Sequence, residues 1–254
     1  MTSRIPATAD LAPPTRVPSG MIRTLAGVGL ALVALASPRL AAAQVSTADE
    51  GSFTITREGT RIGREEFRIV RQPVAGGTES VARGVAAYGD RRITSALQTD
   101  ASGGPLRYQV EVKNGADVES RLTGQIVHGR FTAQVRTVRG EAASEFAVGD
   151  GTVVVDDDIF HQYFFLTLGD RLPAASTTLA LVAPRRNAQG SMRVTKAGSE
   201  SIDVGGQKIT ATKLAIASSA APACDVWVDA GGHVLKVTVP SRGIVALRDD
   251  PPGR

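Results

Sequence analysis

Leu106–Ile126 reads LRYQVEVKNGADVESRLTGQI, and its alternation sets the fold class. Leu106, Tyr108, Val110 and Val112 alternate with Arg107, Gln109, Glu111 and Lys113. After the turn-rich Asn114-Gly115-Ala116-Asp117, the residues Val118, Leu122 and Ile126 resume the same period of two. Successive side chains of a strand point to opposite faces, so this stretch predicts a hairpin with one apolar and one polar face. His128-Gly129-Arg130 then turns into Phe131-Thr132-Ala133-Gln134-Val135. Three such strands in succession predict an antiparallel meander that covers a core on one side only.

The pattern continues in both directions. Upstream, Phe53 and Ile55 lead through Glu58-Gly59-Thr60 into Ile62–Val70, and Ser80–Tyr88 joins Ile93–Thr99 at Gly89-Asp90. Downstream come Met192–Lys196, Ile202–Val204, Ile209–Ile216, Asp225–Asp229, His233–Val239 and Ile244–Leu247. No Pro- or Ser-rich linker divides residues 51–248, which are expected to form one mainly β domain. Residues 44–50 and 249–254 are expected to be a flexible N-terminus and a flexible tail.

One segment breaks the period. Asp156–Gly169 predicts a short helix, with Asp156-Asp157-Asp158 capping its start and Gly169 ending it. Phe160, Tyr163, Phe164 and Phe165 fall within it, four of the chain's eleven aromatic residues. Packed on the concave face of the sheet, they either plug the core or line an apolar pocket. His161 is expected at a polar edge of that helix. Trp227 shares a strand face with Asp225 and Asp229, opposite Val226 and Val228. That face reads as a polar-ligand rim or as the wet side of a strand. Phe160, Tyr163, Phe164, Phe165 and Trp227 are the candidate ligand-binding residues.

Catalytic constellations are missing. There is no Gly-x-Ser-x-Gly, Ser-x-x-Lys or His-Glu-x-x-His. Glu65 and Glu66 are strand neighbours and point to opposite faces, so they form no facing dyad. Asp157 and His161 are four apart, yet no third or fourth metal ligand is near in sequence. The glycine pairs at 103–104, 205–206 and 231–232 sit in turns with no helix following to hold a phosphate. No catalytic residue, metal or cofactor is expected. Cys224, the single cysteine, is expected to be a buried hydrophobe.

Residues 21–44, MIRTLAGVGLALVALASPRLAAAQ, have the layout of a secretory signal: Arg23, an apolar run Leu25–Ala36, then small residues. Twelve apolar residues followed by Pro38 and Arg39 are too few to span a bilayer, so no transmembrane segment is expected after export. Cleavage after Ala43 is expected to leave 211 of the 254 residues, soluble in the periplasm or medium. Residues 1–20 read as a disordered leader or as sequence upstream of a start at Met21. Four of the 29 basic and one of the 25 acidic residues precede the cleavage point, which leaves a net charge of +1. That balance, with Arg91-Arg92 and Arg185-Arg186 as isolated pairs, speaks against nucleic acid as a partner.

The Phe53-Thr54-Ile55 strand, the turn strand with Gly59 and Gly63, and the hairpin Val226-Trp227-Val228-Asp229-Ala230-Gly231-Gly232-His233-Val234 together resemble exported bacterial β-domains similar to the LolA-type lipoprotein carriers. The resemblance implies an open, strongly curved antiparallel half-barrel with helices lining its concave side; the chain itself is expected to form one antiparallel, strongly curved sheet or open half-barrel with one short helix on its concave side. It points to a non-catalytic cell-envelope module that holds an apolar ligand, a lipid or a lipoprotein acyl chain. The alternative is a structural or protein-interaction β-domain with a filled core, whose partner is another envelope protein.

Overall fold

Alternating segments become ladders throughout the computed structural model, which describes residues 44–168, 171–172 and 174–253. The expected leader (1–20) and signal peptide (21–43) lie outside the described residues. The first arm of the sheet is a meander: β1 Ser46–Arg57, β2 Thr60–Val74, β3 Gly77–Tyr88, β4 Arg91–Thr99, β5 Pro105–Asn114, β6 Asp117–Val127, β7 Arg130–Thr137 and β8 Gly140–Ala147. The second arm comprises β9 Val153–Val154, β10 Ser176–Ala183, β11 Ala188–Val204, β12 Gln207–Ser218, β13 Cys224–Val228, β14 Val234–Val239 and β15 Ile244–Arg248. β15 pairs with β1, which unites both arms in one fifteen-stranded sheet with β8 and β9 at its edges. Every pairing is antiparallel except β9 with β10.

The predicted hairpin of β5 and β6 forms, with Asn114 opposite Asp117 and Val110 opposite Leu122. At the β1–β2 turn both Glu58 and Gly59 have positive φ, 50° and 81°, the twist that a two-residue hairpin needs. In most strands one parity is buried: Phe53 and Ile55, Phe67 and Ile69, Tyr108, Val110 and Val112, Phe131 and Ala133 all join the principal core. The arms also meet across the open side. The Gln189 side chain accepts the Ala147 N–H (3.1 Å) and donates to the Ala147 carbonyl (2.6 Å), so a residue of β11 grips the end of β8. The wall is therefore barrel-like and mainly β, with the edge strand β8 tied to β11 by one amide side chain.

Several expectations need correction. The helix over 156–169 shrinks to a 3-10 helix, η1, at His161–Leu166. Its first turn holds no acidic residue and its N-cap, Phe160, makes no side-chain cap bond. Asp158 sits at φ 64°, outside the helix, and the three aspartates bind elsewhere. An aromatic run with both sides buried gains little from helical amphipathicity, and packing sets its conformation instead. Further 3-10 turns lie at η2 Pro184–Arg186 and η3 Pro240–Arg242.

The N-terminal segment is not loose from Ser46 onward, because β1 starts there. Asp49 is buried and takes a bidentate pair from Arg248, at 2.8 and 3.0 Å. Nor is the tail free at its start: the Asp249 N–H donates to the Ser52 carbonyl, and its carboxylate accepts from Ser52 and Thr54 hydroxyls at 2.6 Å. The two predicted strands Met192–Lys196 and Ile202–Val204 are one bent strand, β11, with a bulge between Lys196 and Ser199.

Beyond that bulge, the tip of the β11–β12 hairpin covers the outer face of β13–β15. Ile202, Val204, Ile209 and Ala211 pack there against Trp227, Leu235 and Leu247 in a second, smaller cluster. At its turn the hairpin reaches the chain end: a Cβ on Gly205 would lie 2.8 Å from the Asp249 carbonyl oxygen. No helix of the described residues is long and apolar enough to cross a membrane.

Candidate functional site

The aromatic segment enters the hollow between β3, β9 and β14. Phe160, Tyr163, Phe164 and Phe165 all belong to the principal core, and Phe164 meets Phe165 edge-on at 5.8 Å. A void bordered by Phe160 and Tyr163 holds about 20 Å³, room for a single water. Four of the five candidate ligand residues are thus brought together as packing.

Tyr163 also accepts a hydrogen bond from the Cys224 thiol at 3.3 Å. Burial pushes the Cys224 pKa up to about 11, which keeps the sulfur an unreactive thiol.

Trp227 stands apart, on the outer face. Its ring lies under the ammonium groups of Lys213 (5.0 Å) and Lys236 (4.5 Å), and its indole N–H donates to Glu200. The flanking carboxylates are engaged too, Asp225 with Lys213 at 2.9 Å and Asp229 with His233 at 2.9 Å. Hydrogen bonds hold the Asp229 carboxyl below its ordinary range and, from the other side, raise the His233 imidazole. The hairpin lid leaves Trp227 no open face for a polar ligand.

Sequence reasoning missed the groups that anchor η1. His161 is fully buried, not at a polar edge, and its Nδ1 lies 2.5 Å from the Glu65 carboxylate. The second Glu65 oxygen accepts the Phe160 N–H at 2.7 Å. The imidazole stacks on Phe67 with centroids 5.8 Å apart, and Phe67 stacks on Phe53 at 5.2 Å. Gly84 faces the ring so closely that a Cβ there would lie 2.5 Å from His161 Cε1. The signal was present in the sequence: Glu65 shares the inward parity of Phe67 and Ile69. The adjacent pair Glu65-Glu66 forms no dyad, but one of the two had to face inward. His161 Nε2 is buried and has no hydrogen-bond partner among the described residues.

A second closed ring binds the residues just before η1. Asp156 accepts from the Tyr108 hydroxyl (2.9 Å) and the Arg185 N–H (3.1 Å), while Gln162 accepts the Asp156 N–H and donates to Tyr108. Burial pushes the Asp156 pKa up to about 6, and burial likewise raises the Tyr108 phenol. Among the described residues no group of three His, Cys, Asp or Glu side chains is arranged to hold a metal ion.

Open space lies beside this ring on the inner face. A cavity of about 480 Å³ opens where β5, β6 and β7 pass η2. Val110, Leu122 and Val135 form its floor; Arg91, Arg139, Arg185 and Arg186 stand round it, with Glu119 and Asp157. Val110 and Leu122 belong to the principal core, so the floor is continuous with it. Asp157 pairs with Arg186 at 2.7 Å, and Asp158, just outside, bridges Arg91 (3.3 Å) and Arg242 (2.6 Å). The three aspartates therefore fasten the rim of the hollow.

No protein-family model matches the chain, and no curated protein matches it. Among solved structures, the chain is similar to a beta-barrel-like protein of domain of unknown function DUF1849 from Brucella abortus. The two share 10% identity over 82% of this chain and 98% of that one, with a TM-score of 0.47. Nothing about a site or a ligand follows from that likeness.

Proposed function

We propose that the chain is an exported, non-catalytic module of the cell envelope that holds an apolar ligand, a lipid or acyl chain, in the cavity beneath β5–β7. The observation that supports this reading is the cavity itself: about 480 Å³, on the inner face, with an apolar floor of Val110, Leu122 and Val135. That volume falls within the range of about 300–1,000 Å³ common for small-molecule sites. The ligand lies beside the aromatic segment instead of among its rings, which are packed solid. Native mass spectrometry of the exported protein tests the proposal. It should carry a hydrophobic adduct that solvent extraction removes; a bare mass, with no uptake of a fluorescent fatty acid, would sink it.

A second reading draws on the buried rings of Phe160, Tyr163, Phe164 and Phe165. A filled core suits a structural or protein-interaction domain whose partner is another envelope protein. Crosslinking in intact cells would then give one dominant protein adduct and no small ligand.

A further inference from the structure

The arginines round the cavity differ in what they already hold. Arg91 is bonded to Asp158 at 3.3 Å and Glu119 at 3.5 Å, and Arg186 to Asp157 at 2.7 Å. Arg185 gives its guanidinium to the main-chain carbonyl of Asp157 at 2.8 Å and has no carboxylate partner among the described residues. Arg139 makes no ion pair there either, and it is exposed on the turn between β7 and β8. Glu119, Asp157 and Asp158 are taken by Arg91, Arg186 and Arg242, so the guanidinium groups left without a carboxylate ion pair among the described residues are those of Arg139 and Arg185. Their positive charge stands beside an apolar floor.

Resting on the proposal that this cavity holds an apolar chain, we infer that its ligand is an anionic amphiphile. The chain lies on Val110, Leu122 and Val135, and a carboxylate or phosphate head sits at the Arg139–Arg185 side of the mouth. Guanidinium forks match planar or tetrahedral oxyanions through paired N–H donors, and such charge-assisted bonds are stronger than neutral ones. An uncharged head leaves that pairing unmade, and a cationic head meets repulsion. Apolar contact supplies affinity for any chain of suitable length; the arginines select the head.

The test compares laurate, lauryl phosphate, lauryl alcohol and laurylamine against the exported protein at neutral pH, below their aggregation limits, by displacement of a fluorescent fatty acid. Laurate and lauryl phosphate should bind about tenfold tighter than the alcohol, and the amine weakest. Arg139→Gln should bring the anions to within about threefold of the alcohol and leave the alcohol unchanged. Its side chain is exposed and unpaired, so folding is not at stake. Val135→Phe, which fills the floor, should weaken acid and alcohol alike. Equal binding of acid and alcohol overturns the head-group inference and leaves the apolar cavity standing. Binding of none of the four overturns the cavity reading itself. If inorganic phosphate alone displaces as well as lauryl phosphate, the site takes a free small anion and the amphiphile is wrong.

Discussion

Two neighbouring regions of the inner face are built in opposite ways. Around η1 all but one of the polar groups named above are closed on one another: Glu65 serves both His161 and the Phe160 N–H, Asp156, Gln162 and Tyr108 complete a ring, and His161 Nε2 alone of them has no partner among the described residues. Beneath β5–β7 the guanidinium groups of Arg139 and Arg185 have no carboxylate ion pair among the described residues, and the space beside them is open. Buried hydrogen-bonding capacity that is used up specifies a packing arrangement. Capacity left over beside an apolar floor is free to recognise something else. Four aromatic residues mark the first region in the sequence, and they drew attention to the region that does the packing.

Mutations can break that contrast. Glu65→Ala should have the largest effect, lowering the unfolding free energy by about 3–5 kcal/mol, because it strands His161 and a backbone N–H in the core. Phe165→Ala belongs in a similar range, about 3–5 kcal/mol for an aromatic side chain removed from a packed site. Denaturant unfolding measures both. A loss below about 1 kcal/mol at either position would mean that the η1 region is not the packed one.

Next in size is a pH effect centred on Asp156. Its folded pKa of about 6 lies above the ordinary value of 3.8, so the folded protein binds this proton more tightly than the unfolded chain. The stability from this group is full below about pH 4 and is lost as pH rises through about 6. Asp156→Asn removes that dependence. The unfolding free energy of the wild type minus that of the variant should therefore fall by about 1–3 kcal/mol between about pH 4 and pH 7. Two unfolding curves per protein decide it, and a flat difference would place Asp156 in contact with water.

The smallest stability effect sharpens the comparison from the other side. Arg139→Gln should change stability by no more than about 0.5 kcal/mol, as surface substitutions away from special features do. A much larger loss would make the open region structural as well.

Alternation carried the fold where each strand had one wet and one dry face. The hairpin of β5 and β6 is the clear case, with its register visible from Leu106 to Ile126. It failed where burial was lopsided: β8 buries only Phe146, and the first half of β10 is largely exposed, so neither showed a period. The segment at 161–166 misled because it is buried on every side, which leaves no stripe to orient. Trp227 was placed on the correct side of its strand, opposite Val226. What makes that side dry is the hairpin at 199–212, a long-range contact with no local signature.

The candidate cavity was invisible for a similar reason. Arg91-Arg92 and Arg185-Arg186 looked like isolated basic pairs, and nothing in the pattern singled out Arg139. Only the passage of η2 past β6 brings them to one mouth. Glu65 alone was legible, as an acid at an inward position.

Gln189 joins β8 to the opposite arm with a primary amide where a neighbouring strand would supply main-chain pairs. Both bonds of this contact come from one side chain, so a single substitution at Gln189 removes them together and leaves every strand ladder whole.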